Sequence, residues 1–319
     1  MDAYEDASQW RYLDRIVDKI ADGWHVWQIE DPDLIEETNW IDGPGRKWLR
    51  ELFQKAALAS CYQTSSVYPR RQVLVSLFSH DPNTLKPEQA AKYVTKPLTI
   101  LMENRFTDGE IFLNEVLKVL APDEINEQRR LAPDSILYDS GGGIGELPKL
   151  VADYAVRADA DGIPRRAVVL TDGDGELPGE VKANAQLVQQ ACQKEGIPCW
   201  TLSKRTIENY IPDEVLDAWM PYSDSGKGKR VAAIKRLNPE QRDHYPMKKG
   251  LKLQKAVPDV RAFYSGTSGA DMDELSKGLG SDVIEKFREF SSVLSAESLR
   301  GRDGNGELDK LIEMIADLL

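Results

Sequence analysis

With 319 residues, 41% hydrophobic and 29% charged, the chain has material for one large domain or two ordinary ones. No run approaches the roughly 20 apolar residues that a membrane-crossing helix needs, so no membrane partner is expected. Three cysteines (Cys61, Cys192, Cys199) and three scattered histidines (His25, His80, His244) give no zinc-ligand spacing and no even disulfide set.

The acidic start, Met1-Asp2-Ala3-Tyr4-Glu5-Asp6, lacks the basic-then-apolar order of a secretory signal, and the expected compartment is the cytoplasm. Net charge is −12, but it is unevenly spread. Between Gly226 and Lys255 ten basic residues face two acidic ones, a local +8 that leaves −20 for the rest.

Residues 1–95 read as a small α/β domain. Trp10, Leu13, Ile16, Val17 and Ile20 recur at helical spacing, Trp24 to Ile29 is strand-like, and a second helix is expected from Arg46 to Ser60. Gln72 to Phe78 reads as a buried strand. Five of the seven tryptophans (Trp10, Trp24, Trp27, Trp40, Trp48) fall here, as core aromatics or as a docking surface.

From residue 96 the pattern becomes regular. Strands are expected at Leu98 to Met102, Ser135 to Tyr138, Ala167 to Leu170 and Pro198 to Leu202. Helices at Gly109 to Leu120, Leu147 to Ala158 and Glu180 to Glu195 separate them. Such alternation predicts a mostly parallel sheet covered on both faces, with ligands beyond the strands' carboxyl ends. Residues 206–319 read as a basic, mostly helical extension, closed by helices near Ser281 to Leu294 and Gly306 to Leu319.

The chemistry-bearing residues lie just past those strands. Glu103 follows the first and Asp172-Gly173-Asp174 the third. Clustered carboxylates need a counter-charge, and an all-oxygen set suits a hard divalent cation, Mg²⁺ or Mn²⁺. Asp108 is either a further ligand or an N-cap, and Glu208 either a metal-side carboxylate or an ordinary helix-start residue. The Gly141-Gly142-Gly143-Ile144-Gly145 loop fits both phosphate contact and a plain tight turn; it is not a Walker A loop. Lys248 and Lys249 either stabilise charge on a phosphate or lie on a solvated face.

Together these pieces resemble a TOPRIM domain, and the Glu208-Asn209-Tyr210 and Lys248-Lys249-Gly250 segments resemble the overcoming-lysogenization-defect (OLD) nucleases and standalone TOPRIM effectors of bacterial anti-phage defence. The resemblance implies a Rossmann-like core over residues 96–205 and a metal-dependent nuclease acting on DNA or RNA. It matches Glu103, Asp108, Asp172 and Asp174 to the metal set, with Glu103 as ligand or general base and Lys249 as the nuclease lysine. Glu208 joins the catalytic set, and two ions roughly 4 Å apart would flank the displacement. Asn104 stands where the pattern usually has glycine, and the spacing from Glu103 to Asp108 is one residue longer than common.

Lys227, Lys229, Arg230, Lys235, Arg236, Lys248, Lys252 and Lys255 are expected to bind the nucleic-acid backbone. A separate ATPase or regulatory partner and a homo-oligomer are further expectations. The alternatives are a haloacid-dehalogenase-type phosphatase, whose nucleophile also sits in a strand-Asp-x-Asp, and a non-catalytic regulatory or scaffolding subunit.

Overall fold

The computed structural model describes residues 2–29, 31–63, 71–78, 84–220 and 226–319; His80 lies outside them. The chain is mixed α/β. A two-stranded parallel pair, β1 (Leu74–Val75) and β2 (Thr84–Leu85), precedes the main sheet. That sheet contains β3 (Leu98–Met102), β4 (Ile136–Ser140), β5 (Ala167–Thr171) and β6 (Cys199–Thr201), in the order β4-β3-β5-β6 with every pairing parallel.

Strand alternation divides the core in two. Leu98, Ile100 and Met102 of β3 and Val168 and Leu170 of β5 enter one core, while Leu101, Ala167 and Val169 enter the other. The period of two in side-chain direction accounts for this, and full burial on both faces accounts for the unbroken apolar runs. Helices Leu147–Asp161 and Ala183–Glu195 cover the second face.

The first face is covered by the segment after β3 and by most of residues 206–319. Of its 42 described buried residues, 28 come from Ile207 onward. The basic C-terminal segment therefore completes the core of the sheet and is no separate appendage. Glu307, at the start of the last helix (Glu307–Leu318), accepts hydrogen bonds from Trp200 Nε1 (3.1 Å), Ser203 N (2.9 Å), Ser203 Oγ (2.6 Å) and the Tyr210 hydroxyl.

Two N-terminal expectations are corrected. The Trp24 to Ile29 run is irregular: Trp27 N donates to Ser60 Oγ at 2.8 Å, and the Trp27 ring joins Trp40 and Phe53. Aromatic packing, not a ladder, explains its composition. The Gln72 to Phe78 run holds only the two-residue β1, with Leu74 and Phe78 exposed. The described part of this unit is thus mainly helical, its core built from helices Trp10–Ala21, Lys47–Gln63 and Pro87–Val94. Ala158 and Ile163 enter the same core, and Gln128 Nε2 donates to Trp24 O at 2.8 Å, which joins the unit to the sheet.

Candidate metal centre

β3 and β5 are neighbours at the middle of the sheet. The chain leaves β3 toward β4 on one side and β5 toward β6 on the other, so the connections diverge between them. That divergence opens a crevice at the carboxyl ends of the two strands, where open parallel sheets bind ligands. Glu103 directly follows β3, and Asp172 directly follows β5.

Each flanking loop is built to aim a carboxylate. After Glu103, Asn104 Oδ1 accepts from Phe106 N (3.0 Å) and Thr107 N (3.3 Å), which caps a π-helix, Arg105–Leu113. Asp108 Oδ2 accepts from Asn104 N at 3.0 Å and Oδ1 from the Thr107 hydroxyl at 2.6 Å. Asp108 therefore ties the turn back onto the strand end. The π-helical winding, common at functional sites, was not legible in a sequence that reads as ordinary helix.

After β5, Gly173 has no room for a side chain, since an added Cβ would lie 2.7 Å from Leu202 O. Asp174 takes a left-handed backbone (φ 54°) and its amide donates to Arg205 O at 2.9 Å. Few non-glycine residues take this region, and aspartate is among those that do.

Glu208 lies in a short 3₁₀ turn, Ile207–Tyr210, and is buried. Ile207 N donates to Asp172 Oδ1 at 3.1 Å, so this turn holds the β5 carboxylate directly. Thr206 Oγ1 donates to Glu208 Oε2 at 2.6 Å, and Asn209 Nδ2 donates to Arg242 O and Tyr245 O, each at 2.9 Å. Lys248 closes the arrangement, its Nζ 2.7 Å from Glu208 Oε1. Its loop is fixed by a contact too close for side chains: a Cβ on Gly250 would lie 2.4 Å from Gly278 N.

Electrostatics follow from this convergence. Burial, then the charges of Glu208, Asp108, Asp174 and Glu103, raise the Asp172 carboxyl well above the usual carboxylate range. Burial, then Asp108 and Asp174, raise Glu103, with Lys248 opposing. Asp108 is raised by burial against the pull of its Thr107 and Asn104 hydrogen bonds. For Lys248 burial disfavours the ammonium, yet Glu208, Asp172 and Asp108 outweigh it and raise its pKa.

The five carboxylates divide by how their oxygens are held. Both oxygens of Asp108 accept hydrogen bonds, whereas Glu208 Oε2 accepts one from Thr206 and its buried Oε1 has the ion pair with Lys248 but no hydrogen bond from a described residue. Among the described residues no hydrogen bond holds the carboxylate oxygens of Glu103 or Asp174, or the Oδ2 of Asp172. Uncommitted oxygens on like-charged, partly buried groups fit a hard cation, and the donor set excludes a soft one. Among the described residues no group of three or more acidic, histidine or cysteine side chains is arranged to hold a metal ion as it stands. The carboxylates are within electrostatic reach of one another without enclosing a point.

Other sequence candidates are placed differently. Lys248, not Lys249, meets the carboxylates; Lys249 is exposed, with no ion pair to a described residue. The basic stripe is not one open face. Lys235 pairs with Asp217 (2.7 Å), Arg236 with Asp271, and Arg230 donates to Gly278 O near Glu274. Lys252 donates to Ser276 O. Folding supplies acidic and carbonyl partners from 213–217 and 271–278 that a count over 226–255 does not include. Lys227, Lys229 and Lys255 are exposed, with no ion pair to a described residue.

The Gly141 to Gly145 loop follows the edge strand β4, and Gly142 (φ 89°) and Gly143 (φ 138°) make its turn. A cavity of about 640 Å³, lined by Leu13, Ile16, Trp27, Tyr93 and Leu318 among others, lies between the N-terminal unit and the end of the last helix and includes none of the five carboxylates. Comparison with protein-family models, curated proteins and solved structures found no match in any of the three.

Proposed function

We propose that this chain is a metal-dependent nuclease of the TOPRIM type, hydrolysing phosphodiester bonds of DNA or RNA as an effector of bacterial anti-phage defence. The observation that carries the reading is the meeting of Glu103, Asp108, Asp172, Asp174, Glu208 and Lys248 at the mouth between β3 and β5. Mg²⁺ or Mn²⁺ would be held by Asp172 and Asp174 with Glu103, and would supply Lewis-acid stabilisation of the charge that builds on the phosphoryl group.

The remaining roles belong to the chain. Glu103, which directly follows β3, either joins the metal ligands or takes the proton of the attacking water. Lys248 neutralises charge that builds on the phosphoryl oxygens, and Glu208 holds its ammonium in place. Asp108 and Thr206 position their neighbours and need not touch substrate. A phosphatase reading would leave Glu103, Asp108 and Glu208 without a task.

The 319 residues carry no Walker-type loop, and a separate ATPase or regulatory subunit is part of the proposal. The test uses the full chain, alone and with whatever co-purifies from its host, on labelled DNA and RNA with Mg²⁺, Mn²⁺ or chelator. Metal-dependent cleavage that Asp172→Asn abolishes is expected. Absence of metal-dependent cleavage in both preparations overturns the reading.

A further inference from the structure

Phe106 is 41% exposed and stands three residues past Glu103, so the ring's backbone is within about 11 Å of the carboxylate's own. A single exposed phenylalanine is ordinary on a protein surface. This one differs in how it is held and in what lies over it. Its amide is fixed by Asn104 Oδ1 at 3.0 Å in the capped first turn of the π-helix.

The guanidinium carbon of Arg288 lies 5.3 Å from the Phe106 ring centroid. Arg288 is exposed, on helix Val283–Glu289, which packs on the π-helix through Phe287 against Phe112 (centroids 6.0 Å apart). Both partners thus project from elements locked by buried contacts. A fixed aromatic face beside a cation, one turn from a phosphate-processing carboxylate, is the chemistry that stacks a base and meets its backbone charge.

Resting on the nuclease reading above, we infer that Phe106, backed by Arg288, is a stacking platform for an unpaired nucleobase next to the scissile phosphodiester. The substrate class is then single-stranded nucleic acid, or the loops and ends of folded strands. Bases inside a duplex already stack on their neighbours and have no face to offer. Stacking tolerates every base, so the platform selects strandedness and not sequence.

The experiment measures fluorescence anisotropy with the full chain in Ca²⁺, using a labelled single-stranded DNA, the same sequence as RNA, and the matching duplexes. Cleavage in Mg²⁺ is followed in parallel. Phe106→Leu keeps an apolar side chain without a π-face, whereas Phe106→Trp keeps the face. Single-strand affinity is expected to fall roughly 5- to 100-fold in Phe106→Leu and Phe106→Ala, with Phe106→Trp within about twofold of the parent. Duplex affinity and melting temperature are expected to stay unchanged. A parent that cleaves while Phe106→Leu binds and cleaves single strands equally well overturns the platform and leaves the nuclease reading standing. An equal loss on single strands and duplexes also overturns it. A parent that cleaves nothing with metal overturns both.

Discussion

The ammonium of Lys248 stands 2.7 Å from Oε1 of Glu208, a carboxylate with only 1% of its surface exposed. Lysine and glutamate come from separate loops, and their contact joins the Lys248-Lys249-Gly250 turn to the strand-end carboxylates. It follows that Lys248→Ala should lower the rate of metal-dependent cleavage by roughly 10²–10³-fold, the range for losing one preorganised charge stabiliser. Lys249→Ala should change it by no more than about threefold, since surface charges add little. Steady-state cleavage of a labelled oligonucleotide checks both; equal losses would contradict the assignment.

Asp172→Asn separates function from stability. The amide oxygen can still accept the Ile207 N–H bond, while a buried acid crowded by four other carboxylates becomes a neutral group. Cleavage should fall by at least about 10²-fold, and the melting temperature in chelator at neutral pH should rise. A lower melting temperature would show that the carboxylate stabilises the fold.

The raised pKa values also fix a pH dependence. Asp172, Glu103 and Asp108 keep protons in the folded state that the unfolded chain has already released. Their contribution to stability is fully present below the ordinary carboxylate pKa of about 4 and is lost as pH rises through their folded values. In chelator, the parent's melting temperature should therefore drop relative to Asp172→Asn as pH rises from about 4 to 8. Mg²⁺ at a hundred times its dissociation constant should restore roughly 2.7 kcal/mol to the parent alone. Parallel melting curves for the two proteins would remove the cluster from the account.

Truncation after Arg205 should leave no folded sheet domain. Burying one large apolar side chain contributes roughly 1.5–3 kcal/mol, and ten such losses already exceed the ~5–15 kcal/mol stability of a domain. The shared core would lose 28 buried residues. Circular dichroism and a cooperative melt of the 1–205 fragment decide it; a sharp transition would show that the sheet stands alone.

The basic segment should respond unevenly to alanine. Lys227→Ala with Lys229→Ala should flatten the salt dependence of nucleic-acid binding by about one slope unit per lost phosphate contact, without changing the melting temperature. Arg230→Ala should lower stability, because Arg230 donates to Gly278 O beside the Gly250 contact. A uniform loss of binding and no loss of stability across all three would restore the open-stripe picture.

The sheet was legible because β3 and β5 are buried on both faces and write continuous apolar runs at Leu98 to Met102 and Ala167 to Thr171. Their ends announced Glu103, Asp172 and Asp174. The resemblance pointed to Lys249, whereas the fold turns Lys248 to Glu208, in a loop set by how Gly250 meets Gly278, a contact between distant segments. The ion pairs that neutralise Lys235 and Arg236 were hidden for the same reason. Trp24 to Ile29 misled because aromatic side chains favour strands and tertiary clusters alike, and here Trp40 and Phe53 supplied the cluster.

The left-handed backbone of Asp174 sets a rule for which acids are interchangeable around this crevice. At Glu103, Asp108, Asp172 and Glu208 the backbone has no positive φ, so exchanging aspartate and glutamate there alters side-chain length and contacts without a backbone cost. At position 174 the longer acid meets a different obstacle. Aspartate, asparagine and glycine tolerate positive φ because they are short or lack a Cβ, whereas glutamate adds roughly 1 kcal/mol of backbone cost before its carboxylate is placed at all. Asp174→Asn therefore leaves the turn intact with the charge gone, and Asp174→Glu keeps the charge on a turn that resists it. Chemical conservatism and conformational conservatism point to opposite substitutions at this one position.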